Sequence, residues 1–281
     1  TAIVLGGVLT TQANVALTAT AGSITDLDTD NTVDVIAAGL RLVAGTNVGT
    51  ATNFHETTLA TLSGRGTGGG LFFTETDALT IAAVAVTVQR VDEQAATAPV
   101  TEAAQSDLRT TSGNGAIIVV TGGDLTVNSV LIAHGTGAIA LHTTGTIALN
   151  AEAGSTSGHL TFIASASLTL AADVTTGGAG TVNFQANLIT ATLTSDVTSA
   201  TGDIRFASAT GIVLGGVITT QANVALTATS GSITDLDTDN AVDVIASGLR
   251  VVAGTNAGTA TNHLETTVTT LSGRGTTGGL F

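Results

Sequence analysis

Short segments in which apolar and polar residues alternate recur along the chain every 20–22 residues, and each begins at a small residue. The first residues of these segments are Gly115, Gly137, Gly158, Gly180, Gly202 and Ala222. A second alternating segment follows, as at 124–127, and in several places a third, as at 129–132. Three short strands per rung, separated by Gly, Ser, Thr, Asn or Asp, predict an all-β fold: a parallel, right-handed β-helix or β-solenoid with 20–22 residues per rung.

Alternation also predicts which side chains point inward and stack from rung to rung. One column is predicted to contain Ile117, Ile139, Leu160, Val182, Ile204 and Val224. The neighbouring column is predicted to contain Val119, Leu141, Phe162, Phe184, Phe206 and Leu226. Tandem immunoglobulin-like sandwiches are the competing interpretation, but their strands are uneven in length and they usually bury an aromatic residue. The even spacing and the absence of Trp favour the solenoid.

A longer repeat contains these rungs. Residues 1–72 return as residues 210–281 at a constant offset of 209, with 60 identical positions. The sequence therefore predicts one full solenoid repeat at 1–209 and the start of the next, near-identical repeat at 210–281, within an array of such units. At ~4.8 Å per rung, about ten rungs would give each repeat a length of about 48 Å. A segment at about 91–113 departs from the rung pattern and is predicted to protrude as a loop or short helix.

The charge is strongly one-sided. There are 21 carboxylates against 7 cations, all of them Arg, so the net charge is −14. Nucleic acid is therefore not an expected partner, because phosphate binding needs a basic surface. The most apolar run, 79–88, is too short to cross a bilayer, so no transmembrane segment is expected. Absence of Cys excludes a disulfide framework and is compatible with export.

The segment from Gly22 to Ile81, which starts again at Gly231, carries a recognisable series of motifs. It contains G-x-I-T-D with an acidic loop, then L-x-L-x-A-G, a Gly-Thr segment, a Gly-rich turn and a T-E-T-D-A-L-T strand. This series resembles the filamentous haemagglutinin-type β-helix repeats of giant bacterial cell-surface and adhesin proteins. The motifs specify a rung shape and carry no chemistry. One corner varies between the copies, with Phe54, His55 and Glu56 standing where the second copy has His263, Leu264 and Glu265.

The resemblance implies a secreted, extracellular protein of a bacterial cell surface. We expect a structural repeat unit of a long fibre, stalk or sheath, whose partners are copies of itself, end to end within one chain and laterally between chains. The alternative is an adhesin module that binds cell-surface glycans or another cell. Enzymatic activity is not expected, although some parallel β-helices cleave polysaccharides. This chain has no Lys, and no Trp or Tyr for stacking on sugars.

An array of alternating acidic residues occurs in both copies. It consists of Asp26, Asp28, Asp30, Asn31 and Asp34, repeated as Asp235, Asp237, Asp239, Asn240 and Asp243. Several oxygen ligands close together are what Ca²⁺ prefers, so the array predicts a calcium site, with no other cofactor required. It is not an EF-hand, because Gly and Glu are missing from the required positions. A solvated acidic turn is the alternative.

Two further sets of residues were considered as sites. The protruding segment is the first choice for contact with a partner or a neighbouring fibre, since functional loops often leave a repetitive scaffold; a tolerated insertion is the alternative. Its candidate contact residues are Asp92, Glu93, Pro99, Glu102, Asp107 and Arg109. The five His residues show no metal-ligand spacing and are expected at the surface or at corners.

Overall fold

The structure is a computed structural model that describes all residues from 1 to 281, and its regular elements are all β-strands. The chain coils into a parallel β-solenoid of about 12 turns, which confirms the predicted fold class. No helix is present that is long and apolar enough to cross a membrane.

The strands of the first copy are β1 (Ile3–Leu5), β2 (Leu9–Thr10), β3 (Asn14–Ala19), β4 (Ile24–Asp26), β5 (Val35–Ala44), β6 (His55–Gly66) and β7 (Leu71–Glu75). The central strands are β8 (Leu79–Ile81), β9 (Val84–Val91), β10 (Thr97–Gln105), β11 (Leu108–Thr110), β12 (Ile117–Thr121), β13 (Leu125–Val127), β14 (Leu131–Ala133), β15 (Ile139–Thr143), β16 (Ile147–Leu149), β17 (Ala153–Ser155), β18 (Leu160–Ala164), β19 (Ser167–Leu170) and β20 (Val174–Thr176). The remaining strands are β21 (Val182–Ala191), β22 (Val197–Ser199), β23 (Ile204–Leu214), β24 (Ile218–Thr219), β25 (Asn223–Ala228), β26 (Ile233–Asp235), β27 (Val244–Ala253) and β28 (Thr266–Gly275).

Both predicted columns of inward side chains are present. Each member pairs in parallel register with the next, from Ile117 on Ile139 to Ile204 on Val224, and from Val119 on Leu141 to Phe206 on Leu226. All twelve side chains are buried. Alternate residues of each strand face inward because successive side chains of a strand point to opposite faces. Short strands with apolar residues at every second position therefore build a continuous core.

The widest part of the core holds three aromatic rings in one stack. The ring centroids of Phe162 and Phe184 lie 5.4 Å apart, and those of Phe184 and Phe206 lie 4.9 Å apart with an edge-to-face orientation. Tilted and edge-to-face pairs are favoured by the charge distribution of the rings. Apart from Phe73, the rest of the core is aliphatic.

A 209-residue repeat does not contain a whole number of turns. Parallel pairing from one turn to the next leads from Ile3 to Ile204 in eight steps. The copy of Ile3, however, is Ile212, which lies in the next strand column and pairs with Ile189. One repeat therefore spans between about eight and nine turns, or about 40 Å at ~4.8 Å per turn. This is shorter than the predicted ten rungs, because part of the chain lies outside the turns.

That part is an antiparallel hairpin of β9 and β10, which pair only with each other. It runs from Val84 to Gln105, so it begins and ends earlier than the predicted loop at 91–113. Neither a helix nor an irregular loop forms, since apolar alternation continues through β9. Residues 107–113 belong to the solenoid wall, where β11 pairs with β6 and β14.

Candidate functional site

Carboxylates converge at one buried corner of the first copy. Asp26 ends β4, Asp34 immediately precedes β5, and Glu56 lies one turn later in β6. One carboxylate oxygen from each lies within 4.8 Å of the others. Glu56 meets Asp34 because Val35 pairs with Thr57, which places residues 34 and 56 side by side on adjacent turns. We call this set the first corner.

His55 lies against the first corner and is completely buried. Its Nδ1 lies 3.0 Å from Asp34 Oδ2. Asp34 Oδ2 also accepts a hydrogen bond from the Glu56 backbone N–H at 3.1 Å. A corner position for this His was expected, but its complete burial beside a carboxylate was not.

The three carboxyl groups of the first corner differ in acidity. Burial raises the pKa of Glu56 to about 7, and the negative charge of Asp34 adds to the effect. Burial, followed by the charge of Asp34, also raises the pKa of Asp26. Burial acts on Asp34 in the same direction, but the adjacent His55 outweighs it and holds the Asp34 pKa below its usual range. An interaction that favours the ionised form of a carboxylate has this effect.

The second copy repeats the corner with one substitution. One oxygen each from Asp235, Asp243 and Glu265 again lies within 4.8 Å of the others, and we call this set the second corner. Asp243 Oδ2 accepts the Glu265 backbone N–H at 2.8 Å, as in the first copy. Leu264 replaces His55. Burial raises the pKa of Asp243 to about 7, with further contributions from the charges of the other two carboxylates.

Each corner contains a buried carboxylate oxygen without a hydrogen-bond partner. In the first corner it is Glu56 Oε2, and in the second it is Asp235 Oδ2. Glu56 is 5% exposed and Asp235 is 8% exposed. Buried polar atoms are nearly always paired, so each of these oxygens needs a physical account.

The exposed acidic residues of the same loop have a different role. Asp28 Oδ1 accepts the Asp30 backbone N–H at 3.3 Å, and Asp30 Oδ1 accepts the Thr32 N–H at 2.7 Å. Asp237 and Asp239 do the same in the second copy, and Asn31 and Asn240 are exposed. Of the predicted calcium ligands, the structure brings together Asp26 with Asp34, and Asp235 with Asp243, and leaves the others on the outside of the turn.

Sequence reasoning did not find Glu56 and Glu265. Each follows the last Asp of its array by 22 residues, which is one turn of the solenoid. The signal was therefore present, since a residue one rung away is a spatial neighbour in a β-helix. The pairing of each Glu with its Asp could be recognised only from the register between β5 and β6.

The predicted contact residues lie partly on the hairpin and partly on the solenoid wall. Asp92 and Glu93 lie in its exposed turn, where Asp92 Oδ1 accepts the backbone N–H groups of Gln94 and Ala96, and Pro99 lies in β10. Glu102 lies near the base. Asp107 and Arg109 belong to the solenoid wall below it, so the structure does not bring all six together.

Three Arg side chains line a cleft of about 670 Å³ at the base of the hairpin. Arg41 donates to the Ala103 carbonyl at 3.0 Å and pairs with Glu102 at 3.2 Å. Arg65 and Arg109 both face Asp107, at 2.7 Å and 3.7 Å. The Arg41 contacts fasten β10 to the solenoid wall, and those of Arg65 and Arg109 hold Asp107 just after it, which gives the Arg cluster a structural explanation.

Comparisons with protein-family models, with curated proteins and with solved structures find no match for this chain.

Proposed function

We propose that the chain is a structural repeat unit of a long secreted fibre, stalk or sheath at a bacterial cell surface, of the filamentous haemagglutinin type. In this role 209-residue units stack end to end and the solenoid supplies length and stiffness. The role is mechanical and needs no catalytic group. The observation that carries the proposal is the parallel stacking that runs unbroken from the first copy into the second, where Ile204 pairs with Val224 and Ile212 pairs with Ile233.

The end turns expose residues that their copies bury. Leu9 in the first turn is 37% exposed, whereas its copy Ile218 is 1% exposed. Leu271 in the last turn is 64% exposed, whereas its copy Leu62 is completely buried. The covering residues are known from the interior, where Val197 pairs with Ile218 and Leu62 pairs with Ile81. Within the chain, these apolar positions are therefore buried where a neighbouring turn stacks on them.

Stacked repeats would satisfy the open backbone edges as well as bury the apolar side chains. Unpaired strand edges invite uncontrolled association, and repeat arrays remove them by nearest-neighbour stacking. Because each repeat ends one strand column away from where it began, successive hairpins would project in different directions around the axis. The net charge of −14 would keep neighbouring fibres apart.

Electron microscopy of tandem arrays of one, two and four 209-residue units tests this proposal. We expect continuous rods that lengthen by about 40 Å per unit, with a ~4.8 Å axial spacing in their power spectra. Hairpins should appear at successive angles around the rod. Separate globular beads, or rods whose length does not grow with the number of units, would contradict the proposal.

The hairpin favours a second candidate, an adhesin module. It is the one departure from the solenoid, and Val88, Val91 and Val100 on it are exposed. Saturable binding of the 281-residue chain to immobilised glycans or cells, lost when a short turn replaces the residues from Val86 to Thr101, would support adhesion. Binding that persists without the hairpin would place the adhesive surface elsewhere on the solenoid, and no binding at all would leave the structural role as the only one.

A further inference from the structure

The buried corners hold more carboxylate oxygens than their hydrogen-bond donors satisfy. In the second corner Asp243 Oδ2 accepts the Glu265 N–H and Asp235 Oδ1 accepts the Asp237 N–H, but Asp235 Oδ2 has no partner. Asn262 donates to the Asp235 and Asp237 carbonyls and not to the carboxylates. Three acidic side chains therefore face one another with an orphaned oxygen among them. No Arg or His lies within ion-pairing distance of these carboxylates.

The two copies differ in the polar side chains that contact their buried carboxylates. In the first corner His55 Nδ1 stands 3.0 Å from Asp34 Oδ2, and Asn53 Nδ2 donates to Asp26 Oδ2 at 3.3 Å. In the second corner Leu264 replaces the imidazole and offers no polar atom. Buried charges are paired or coordinate metals, so the second corner calls for a cation from solution.

We propose that the second corner, formed by Asp235, Asp243 and Glu265, is a binding site for a hard divalent cation, Ca²⁺, and that the first corner binds the same ion more weakly. Carboxylate oxygens are the ligands that Ca²⁺ prefers, and it completes its shell with carbonyls and water. The proposed ligands lie inside the turn, where Glu265 follows Asp243 by 22 residues and Asp235 by 30. They do not belong to the exposed part of the acidic array. The proposal is independent of the fibre role.

Isothermal titration of the chelator-treated 281-residue chain with CaCl₂ is the first measurement. We expect one tighter and one weaker site, and the tighter one should disappear in Asp243→Asn and in Glu265→Gln. Asp239→Asn is the matched control, because Asp239 belongs to the exposed array of the same loop and should leave both sites unchanged. Circular dichroism of every variant checks that the solenoid has formed.

Exchange of His55 and Leu264 between the two copies provides a second test. Leu264→His should weaken the tighter site by about tenfold or more, and His55→Leu should tighten the weaker site by a similar factor, since affinity follows the charge of the ligand set. Failure to bind Ca²⁺, or loss of binding in Asp239→Asn but not in Asp243→Asn, would overturn the proposal. Equal affinities that neither exchange alters would overturn the assigned difference between the corners.

Discussion

The first and second corners have nearly the same sequence, but the pKa values of the equivalent residues Asp34 and Asp243 shift in opposite directions. Their copies share 60 of 72 residues, including all six clustered carboxylates. The Asp34 pKa lies below its usual range, whereas burial, followed by the charges of its neighbours, raises the pKa of its copy Asp243 to about 7. The difference follows from one position, where His55 is replaced by Leu264. A repeat can therefore copy the shape of a turn without copying its charge balance.

Position 55 tolerates both side chains because it faces the solenoid interior. His55 is completely buried, and in the second copy Leu264 is half-buried beside the open end. A Leu side chain satisfies the packing but costs Asp243 the imidazole partner that Asp34 has, and leaves it the Glu265 N–H. Its apolar burial offsets part of that cost. In the proposed cation site, the same position decides how much of the compensation comes from the chain and how much from solution.

Removal of His55 should give the largest effect. In His55→Leu, buried Asp34 loses its imidazole partner, and we expect the free energy of unfolding to fall by about 3 kcal/mol without divalent cations, as for other broken buried pairs. Guanidinium unfolding at pH 7 with a chelator measures this change. His263→Leu, at an exposed position of the second copy, is the matched control and should change stability little. An unchanged free energy of unfolding in His55→Leu would show that the contact does not stabilise the first corner.

Glu75 shows that burial alone does not create such a corner. It is 1% exposed, but both carboxylate oxygens accept hydrogen bonds, Oε2 from Thr57 Oγ1 at 2.7 Å and Oε1 from the Leu59 N–H at 3.0 Å. Burial nevertheless raises the Glu75 pKa from 4.5 to about 7. A raised pKa means that the folded state binds the proton more tightly than the unfolded state does. The associated stability is fully present below pH 4.5 and is lost as the pH rises to about 7.

Glu75→Gln should remove this pH dependence. The amide can keep its oxygen toward Leu59 while its NH₂ group donates to Thr57, whose hydroxyl already lies 3.3 Å from the Thr74 carbonyl. We expect the variant to exceed the parent in stability by about 2 kcal/mol at pH 8, with the advantage absent at pH 4. Unfolding curves at pH 4, 6 and 8 measure it. A constant difference across this range would contradict the raised pKa.

The stacked core was predictable from sequence because each rung is nearly self-contained. Alternation identified Ile117 and Val119 as inward residues, and the 20–22-residue period assigned their partners on the following turns. Long-range contacts in a β-helix repeat a local spacing, so one period fixes many pairs at once. This is the reason why both columns were found complete.

The hairpin and the corners were less accessible for different physical reasons. Strand β9 alternates like a rung strand, so the sequence did not reveal that it pairs with β10 instead of joining the wall. The corners combine Asp34 with Glu56 across one turn, and their distance depends on a register that the loop between β5 and β6 sets. Identification of acidic residues along the chain located two of the three carboxylates of each corner. Burial, which separates Asp34 from Asp30, came only from the structure.

The smallest expected effect concerns the exposed acidic array, where the two copies should behave alike. Asp30 accepts the Thr32 N–H, and Asp239 accepts the Ala241 N–H, in the same turn geometry. Asp30→Ala and Asp239→Ala should each lower the midpoint of thermal unfolding by less than about 2 °C, because water replaces an exposed hydrogen bond at little cost. The two shifts should also be equal, with and without Ca²⁺. Unequal shifts in the midpoint would show that the difference between the copies extends beyond His55 and Leu264. A larger shift in the presence of Ca²⁺ would show that the exposed acidic residues take part in cation binding.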